Sequence, residues 1–208
     1  MRILMDVDNT IIPTWKLFAK GLLARNVSRA DMNVTCYDFG CNSPRLVDEI
    51  FQEIFDDGSW MELPPYLGCV DMLTELVDCG HEIFYATNRA KYYKEPDRAY
   101  TELNSFLDAK GFPTPHGVYV VSSPEDKAAL CREKGMSVAI EDAEMYVWPI
   151  LQSGTPVILR RQPWNAHLSA MSFQDWNEFH NSNSTFELAV RLAARGGLGL
   201  FIDEMDCC

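Results

Sequence analysis

The chain has 208 residues, of which 47% are hydrophobic and 23% are charged, and its formal net charge at pH 7 is −12. This length and composition are typical of one globular domain, or of a core domain with a small attachment. The acidic balance argues against long DNA or RNA as the main partner, because such binding depends on Lys and Arg side chains that neutralise phosphates. A small phosphorylated substrate is compatible with this charge, since a bound cation reverses the local field.

Seven cysteines occur, at positions 36, 41, 69, 79, 131, 207 and 208, and none forms a C-x-x-C pair. A reducing, cytoplasmic compartment is the simplest interpretation of this pattern. Cys207 and Cys208 are interpreted as a frayed tail, with a lipidated or metal-binding end as the alternative. No stretch approaches the ~20 apolar residues that a membrane span needs, and the N-terminal apolar run is too short for a signal peptide. We therefore expect no membrane partner.

The first twelve residues combine a buried strand with two carboxylates. The apolar run 3–5 is followed by Asp6 and Asp8, with Asn9 and Thr10 behind them. Ligands in open α/β sheets bind beyond the carboxyl ends of strands, and side chains two apart on a strand point the same way. Because adjacent carboxylates repel each other, the pair predicts a cation, and oxygen-only ligands favour Mg²⁺. An aspartate here could also attack phosphorus, while a plain turn is the alternative interpretation of so short a motif.

Residues 13–64 predict a small helical insert placed directly after the first strand. A helix is expected after Pro13, and a second helix is expected to begin with Ser43 as its N-cap and Pro44 at its first position. No strand is evident within these residues. We therefore expect a core formed by residues 1–12 and 65–208, interrupted by the insert.

The rest of the chain alternates helix and strand. Strands are predicted at Glu82–Ala86, Gly117–Val121, Ser137–Ile140 and Pro156–Leu159, the last being the final core strand, with helices between them and a further helix at Phe186–Ala194. This alternation predicts an α/β fold with a doubly wound parallel sheet. Right-handed crossovers then bring the carboxyl end of every strand to one rim.

Four loops that follow the predicted strands carry complementary chemistry. Their residues are Asp6 and Asp8, then Thr87 and Asn88, then Lys127, and then Glu141 and Asp142. A phosphoryl-transfer site needs a nucleophile, a metal, donors for the equatorial oxygens and a cation, and these loops offer all four. Each one alone is also interpretable as a turn residue, a solvated helix face or an acid at a helix end. Together, in strand order, they favour phosphoryl transfer.

These residues resemble the four motifs of the haloacid dehalogenase superfamily, over Met1 to about Leu159. The motifs are Asp6-Val7-Asp8-Asn9-Thr10, Thr87-Asn88, Lys127 and Glu141-Asp142. The resemblance implies a Rossmann-like core, with the insert as a cap that selects the substrate. It also implies that Asp6 is the nucleophile and that Asp8 is the general acid and then the base, a double role that requires a protonated Asp8 at the start.

The same resemblance implies which residues hold the cofactor and the phosphate. Mg²⁺ would be held by Asp6, the backbone carbonyl of Asp8, and Asp142, with Glu141 near the metal directly or through water. Thr87 and Lys127 would bind the transferring phosphate. From their position after the second strand alone, the Thr87 hydroxyl and the backbone N–H groups at Thr87-Asn88 could hold a phosphoryl oxygen.

Within the superfamily, the chain resembles the 5′(3′)-deoxyribonucleotidase family and its phage and bacterial relatives. Three segments carry this resemblance: the aromatic and Leu-Pro-Pro end of the insert (60–65), Gln162-Pro163-Trp164-Asn165, and the Trp-x-Glu-Phe pattern that ends at Phe179. It implies a nucleoside monophosphate substrate. The aromatic candidates for stacking a nucleobase are Phe18, Tyr37, Phe39 and Trp60, and packing within the insert is the alternative for each.

The sequence thus predicts a Mg²⁺-dependent phosphatase of (deoxy)nucleoside monophosphates, and it allows a homodimer. One alternative is a phosphatase of another small phosphorylated metabolite or of a nucleic-acid end. The other is a non-catalytic nucleotide-binding module, against which Asp8 argues, because binding alone does not need it. A dehalogenase is disfavoured, since magnesium ligands favour phosphorus chemistry.

Overall fold

A parallel sheet of six strands forms the centre of the protein. The computed structural model describes residues 1–177, so the predictions for Phe179, Phe186–Ala194, Cys207 and Cys208 lie outside the described residues. The strands are β1 (Arg2–Asp6), β2 (Glu82–Thr87), β3 (Gly117–Val120), β4 (Val138–Glu141), β5 (Val157–Arg160) and β6 (Ser172–Phe173). Their order is β3-β2-β1-β4-β5-β6. The predicted α/β class with a parallel sheet is confirmed.

The strand order reverses at β1, which is paired with β2 on one side and β4 on the other. Its apolar residues Ile3, Leu4 and Met5 are fully buried, as expected of a strand covered on both faces. Ile3 and Met5 face one apolar cluster and Leu4 faces the other. The reversal opens a crevice beyond the end of β1, where ligands bind in such sheets.

The described residues contain six α-helices. They are α1 (Trp15–Ala24), α2 (Pro44–Asp56), α3 (Cys69–Asp78), α4 (Pro96–Ala109), α5 (Pro124–Lys134) and α6 (Glu144–Gln152). Ser43 caps α2 by accepting a hydrogen bond of 3.3 Å from the Leu46 amide. Ser123 caps α5 in the same way, at 3.1 Å from the Asp126 amide. These caps fix where the two helices begin, because each satisfies an amide with no partner inside the helix.

The prediction that the strand at Pro156–Leu159 is the last of the core is wrong, because β6 extends the sheet beyond β5. Ser172 pairs with Leu159, and Phe173 pairs with Arg160. A strand of two residues is too short for any periodicity to reveal it. The Phe173 side chain is nevertheless buried against Trp176, with ring centroids 4.9 Å apart.

The insert contains α1 and α2, which pack against each other over the same apolar cluster as Ile3 and Met5. Gly21 makes their close approach possible, since a Cβ atom there would lie 2.6 Å from Cγ2 of Ile50. The division of the chain into a core and a cap at residues 13–64 stays a prediction. None of the helices within residues 1–177 has both the length and the apolar character needed to cross a membrane.

Candidate active site

Lys127 joins the ends of two strands at the rim of the sheet. Its Nζ atom lies 2.7 Å from Oδ1 of Asp6, at the end of β1, and also contacts Glu141, at the end of β4. The Lys127 side chain is fully buried. Burial alone would lower the lysine pKa, but the two carboxylates raise it above its ordinary value. Lys127 is therefore a fixed positive charge inside the site.

A buried cluster of three carboxylates surrounds this ammonium group. Asp6, Glu141 and Asp142 each offer an oxygen, and these oxygens lie within 4.8 Å of one another. Burial, with the neighbouring carboxylates, raises the pKa of Asp6 and that of Asp142, and it raises the pKa of Glu141 to about 7. Lys127 alone does not balance three carboxylates, and every donor atom of the cluster is oxygen. This set fits a hard divalent cation such as Mg²⁺, with Asp6 and Asp142 as the side chains to hold it.

The loop after β5 fixes the orientation of Asp142. The Trp164 indole Nε1 donates a hydrogen bond of 3.0 Å to Oδ2 of Asp142, and Thr10 Oγ1 donates one of 3.4 Å to Oδ1. Asn165 Nδ2 donates to the backbone carbonyl of Asp142 at 2.8 Å. Sequence reasoning gave neither Trp164 nor Asn165 a role at the site. Their segment was noted only for its family resemblance.

Asp8 is held by four hydrogen bonds. Arg89 donates from Nε to Oδ2 at 2.8 Å and from Nη2 to Oδ1 at 2.7 Å. Thr14 Oγ1 donates to Oδ1 at 2.6 Å, and Thr87 Oγ1 donates to Oδ2 at 2.8 Å. Burial alone would raise the pKa of Asp8, but Arg89 and these hydroxyls hold it below its ordinary value. The structure therefore differs from the expectation of a protonated Asp8: at neutral pH this carboxyl is ionised.

Thr87 and Asn88 lie at the rim, as their position after β2 predicts. The Thr87 hydroxyl is directed to Asp8. The Asn88 amide bonds the Tyr146 hydroxyl at 2.6 Å, and with its oxygen turned to that hydroxyl its nitrogen donates to the Val121 carbonyl at 2.9 Å. The hydroxyl of Thr87 thus lies beside Asp8, and Asn88 links the segment after β3 to helix α6.

A cavity of about 260 Å³ opens directly above the carboxylates. Its floor contains Asp6, Asp8 and Asp142, and its walls include five aromatic residues: Tyr37, Phe51, Phe55, Tyr92 and Tyr146. Asp38, Asp48 and Lys91 also line it. The Lys91 ammonium group is already paired with Asp48 at 2.7 Å. A small substrate can therefore reach Asp6 beside several aromatic side chains.

Of the four aromatic residues predicted to stack a base, Tyr37 lines this cavity and the other three do not. Phe18 is stacked on Phe51 with centroids 4.8 Å apart, and Phe39 and Trp60 are also buried in the core. The structure thus places Phe18, Phe39 and Trp60 in the packing role that was their alternative. Stacking of a base stays a prediction for Tyr37.

Sequence reasoning missed Arg89 and Thr14, which carry most of the contacts to Asp8. Arg89 directly follows the Thr87-Asn88 motif, so its place at the rim was available as a signal. The sequence could not predict that the Arg89 side chain points toward Asp8, because this orientation depends on how the insert packs.

Comparison with known proteins gives distant relatives. No protein-family model matches the chain. A "Putative nucleotidase" of Bacillus cereus is 22% identical over 187 residues, which cover 86% of this chain and 95% of that protein. A second protein with this description, from Oceanobacillus iheyensis, is 22% identical over 134 residues, covering 63% of this chain and 68% of its own length.

Two solved structures resemble this fold over most of the chain. A "HAD hydrolase, family IA, variant 3" from Entamoeba histolytica, where HAD stands for haloacid dehalogenase, has a TM-score of 0.61 at 12% identity and covers 91% of this chain and 99% of that one. The D,D-heptose 1,7-bisphosphate phosphatase of B. bronchiseptica, complexed with magnesium and phosphate, has a TM-score of 0.50 at 11% identity, with coverage of 90% and 97%.

The six-stranded parallel sheet with its helices agrees with this likeness. The chain therefore has the fold of the haloacid dehalogenase superfamily of hydrolases.

Proposed function

We propose that this protein is a Mg²⁺-dependent phosphatase that hydrolyses small phosphomonoesters through an aspartyl-phosphate on Asp6. The observation that carries the proposal is the buried cluster of Asp6, Glu141 and Asp142 around Lys127, at the floor of an accessible cavity. A nucleophile, a cation and a divalent-metal site within one cluster are what phosphoryl transfer requires.

In this mechanism an Asp6 oxygen attacks phosphorus in line, and the bond from phosphorus to the leaving oxygen breaks. Asp8 is ionised in the free protein, so it takes up a proton from solvent when the substrate binds and passes that proton to the leaving oxygen. The Asp8 carboxylate then takes a proton from the water that hydrolyses the aspartyl-phosphate. Lys127 holds Asp6 in place and offsets negative charge on the phosphoryl oxygens, which is what Mg²⁺ also supplies when bound. Thr87, whose Oγ1 lies 2.8 Å from Oδ2 of Asp8, would supply a hydroxyl donor to the transferring phosphate.

We propose a nucleoside monophosphate, and a deoxyribonucleotide in particular, as the substrate. Support comes from the aromatic wall of the cavity, where Tyr37 offers a ring to a base. It also comes from the two relatives described as nucleotidases. A sugar phosphate is the second candidate, because the heptose bisphosphate phosphatase shares the fold and is complexed with magnesium and phosphate.

The test is phosphate release from ribo- and deoxyribonucleoside monophosphates and sugar phosphates, with Mg²⁺ or with a chelator. We expect release that needs both Mg²⁺ and Asp6, so Asp6→Asn abolishes it. Asp71→Asn, on the exposed face of α3, is the matched control and retains activity. Nucleotide binding without turnover of any substrate would contradict the phosphatase and favour a binding module.

A cytoplasmic location and a homodimer stay predictions of the sequence. Cell fractionation tests the first, and light scattering of the purified protein tests the second.

A further inference from the structure

Arg89 forms a two-point contact with Asp8, the candidate acid and base. Its side chain is 2% exposed, and its guanidinium group spans both carboxylate oxygens of Asp8, at 2.8 and 2.7 Å. A bidentate pair fixes the plane of the carboxylate as well as its position, which a single point charge does not do. The orientation of Asp8 is therefore set largely by Arg89.

Two rings of the insert in turn hold Arg89. Its Cζ atom lies 3.8 Å from the ring centroid of Trp60 and 4.7 Å from that of Phe55. The Trp60 ring is fully buried and is further packed on Phe106 at 5.1 Å. A guanidinium group stacked on aromatic faces is strongly restricted in its movement. The insert thus determines where the Arg89 donors point.

The buried pair of Arg89 and Asp8 contributes little to the stability of the fold. Nη1 of Arg89 is buried and finds no hydrogen-bond partner among the described residues, which has a cost in free energy. A buried ion pair also contributes little net stability, because both charges lose their hydration. The pair is better explained by what it does to Asp8.

Arg89 does not itself reach the substrate space. It is absent from the described residues that line the cavity, whereas Asp8 is among them. The Arg89 nitrogens that face the site, Nε and Nη2, are both used by Asp8. Arg89 therefore lines no part of the cavity, and its contact with the site is through Asp8.

We propose that Arg89 is a positioning residue for phosphoryl transfer: clamped between Phe55 and Trp60, it holds the Asp8 carboxylate in the orientation that serves the leaving oxygen and the attacking water. The inference rests on the proposed function. It gives the insert a role in the chemistry, since two of its rings place the group that orients Asp8.

A double-mutant cycle in Arg89 and Asp8 tests this. Arg89→Ala is expected to lower kcat by about 100-fold, the order expected when a catalytic group is misplaced by about 1 Å, with KM changed by less than about threefold. In an Asp8→Asn background the same change is expected to have almost no further effect, because the group that Arg89 positions is gone. The rates of the wild type, the two single variants and the double variant are all measured with the same aryl phosphate, whose leaving group needs no proton.

Two further variants separate positioning from structural damage. Arg89→Lys retains the charge but not the two-point contact, so most of the loss in kcat should remain, and added guanidinium ion should restore part of the activity of Arg89→Ala. Arg98→Ala is the matched control, since its guanidinium group also stacks on an aromatic ring, that of Tyr93, and pairs with Glu102. It is expected to keep the kcat of the wild type.

An unchanged kcat in Arg89→Ala would overturn the proposal, as would a further large loss in the Asp8→Asn background, which would mean direct action on the substrate. Failure of the phosphatase itself is recognised separately, by wild-type protein without Asp6-dependent phosphate release. In that case a crystal structure of Arg89→Ala decides: a displaced Asp8 carboxylate supports the positioning role, and an unmoved one overturns it.

Discussion

The indole Nε1 of Trp164 donates a hydrogen bond to Oδ2 of Asp142, although 22 positions separate the two residues. Both side chains are buried, and the bond joins the loop after β5 to the acidic cluster at the end of β4. The direction of the Asp142 carboxylate therefore depends on a residue outside the four motifs.

Trp164→Phe should weaken Mg²⁺ binding by about tenfold, the lower end of what loss of a partner to a metal ligand costs. The aromatic volume is largely retained while the donor is removed. The measurement is the Mg²⁺ concentration that gives half-maximal phosphate release. Trp148→Phe, on α6, is the control and should leave this concentration unchanged. If both variants needed the same Mg²⁺ concentration, the indole nitrogen of Trp164 would have no role in metal binding.

Lys127→Met should abolish phosphate release and lower Tm by roughly 10 °C, because Asp6 and Glu141 would keep their burial and lose their cation. Circular dichroism during heating measures the second effect. Lys134→Met, at the exposed end of the same helix, is expected to change the free energy of unfolding by no more than about 0.5 kcal/mol. If Lys127→Met were as stable as the wild type, the cluster would not depend on this charge.

Removal of metal should destabilise the protein more at pH 8 than at pH 5. In the metal-free site burial raises the pKa of Glu141 from 4.5 to about 7. A raised pKa in the folded state gives stability that is complete below the ordinary value and is lost as the pH rises through the raised value. The metal-free protein therefore lacks this contribution to its stability at pH 8. Bound Mg²⁺ is expected to stabilise the folded state more at that pH than at pH 5.

The measurement is Tm with Mg²⁺ and with chelator at each pH. At pH 8, saturating Mg²⁺ should raise Tm by about 5–10 °C. The increase should be smaller at pH 5, and it should disappear in Asp142→Asn. An equal increase at both pH values would count against metal binding at these carboxylates.

Tyr37→Leu should raise KM for nucleoside monophosphates by about tenfold, since loss of one base-stacking contact costs about 1–3 kcal/mol. The value of kcat should change little, because Tyr37 lies on the cavity wall. Tyr37→Phe retains the ring and is the matched control. A phosphomonoester without a base should show no such change, and an equal rise in its KM would mean that Tyr37 does not recognise the base.

Much of the fold followed from local patterns. The apolar run before Asp6, the cap at Ser43, and the alternation of helix and strand were enough to predict the parallel sheet and the rim. The short strand β6 escaped prediction, because its pairing with Leu159 and Arg160 is a tertiary contact with no periodic signal.

The sequence by itself determined which chemical groups meet: Asp6, Lys127, Glu141 and Asp142 all follow predicted strands, and parallel strands deliver their carboxyl ends to one rim. Only the tertiary structure decided how those groups are held. Arg89 reaches Asp8 across 81 positions, and Trp60 and Phe55 direct it there through packing of the insert. Tertiary packing likewise placed Phe18, Phe39 and Trp60 in the core and Tyr37 on the cavity wall. The physical reason is that strand ends are set by local periodicity, whereas side-chain orientation in a buried site depends on all the neighbours that exclude water from it.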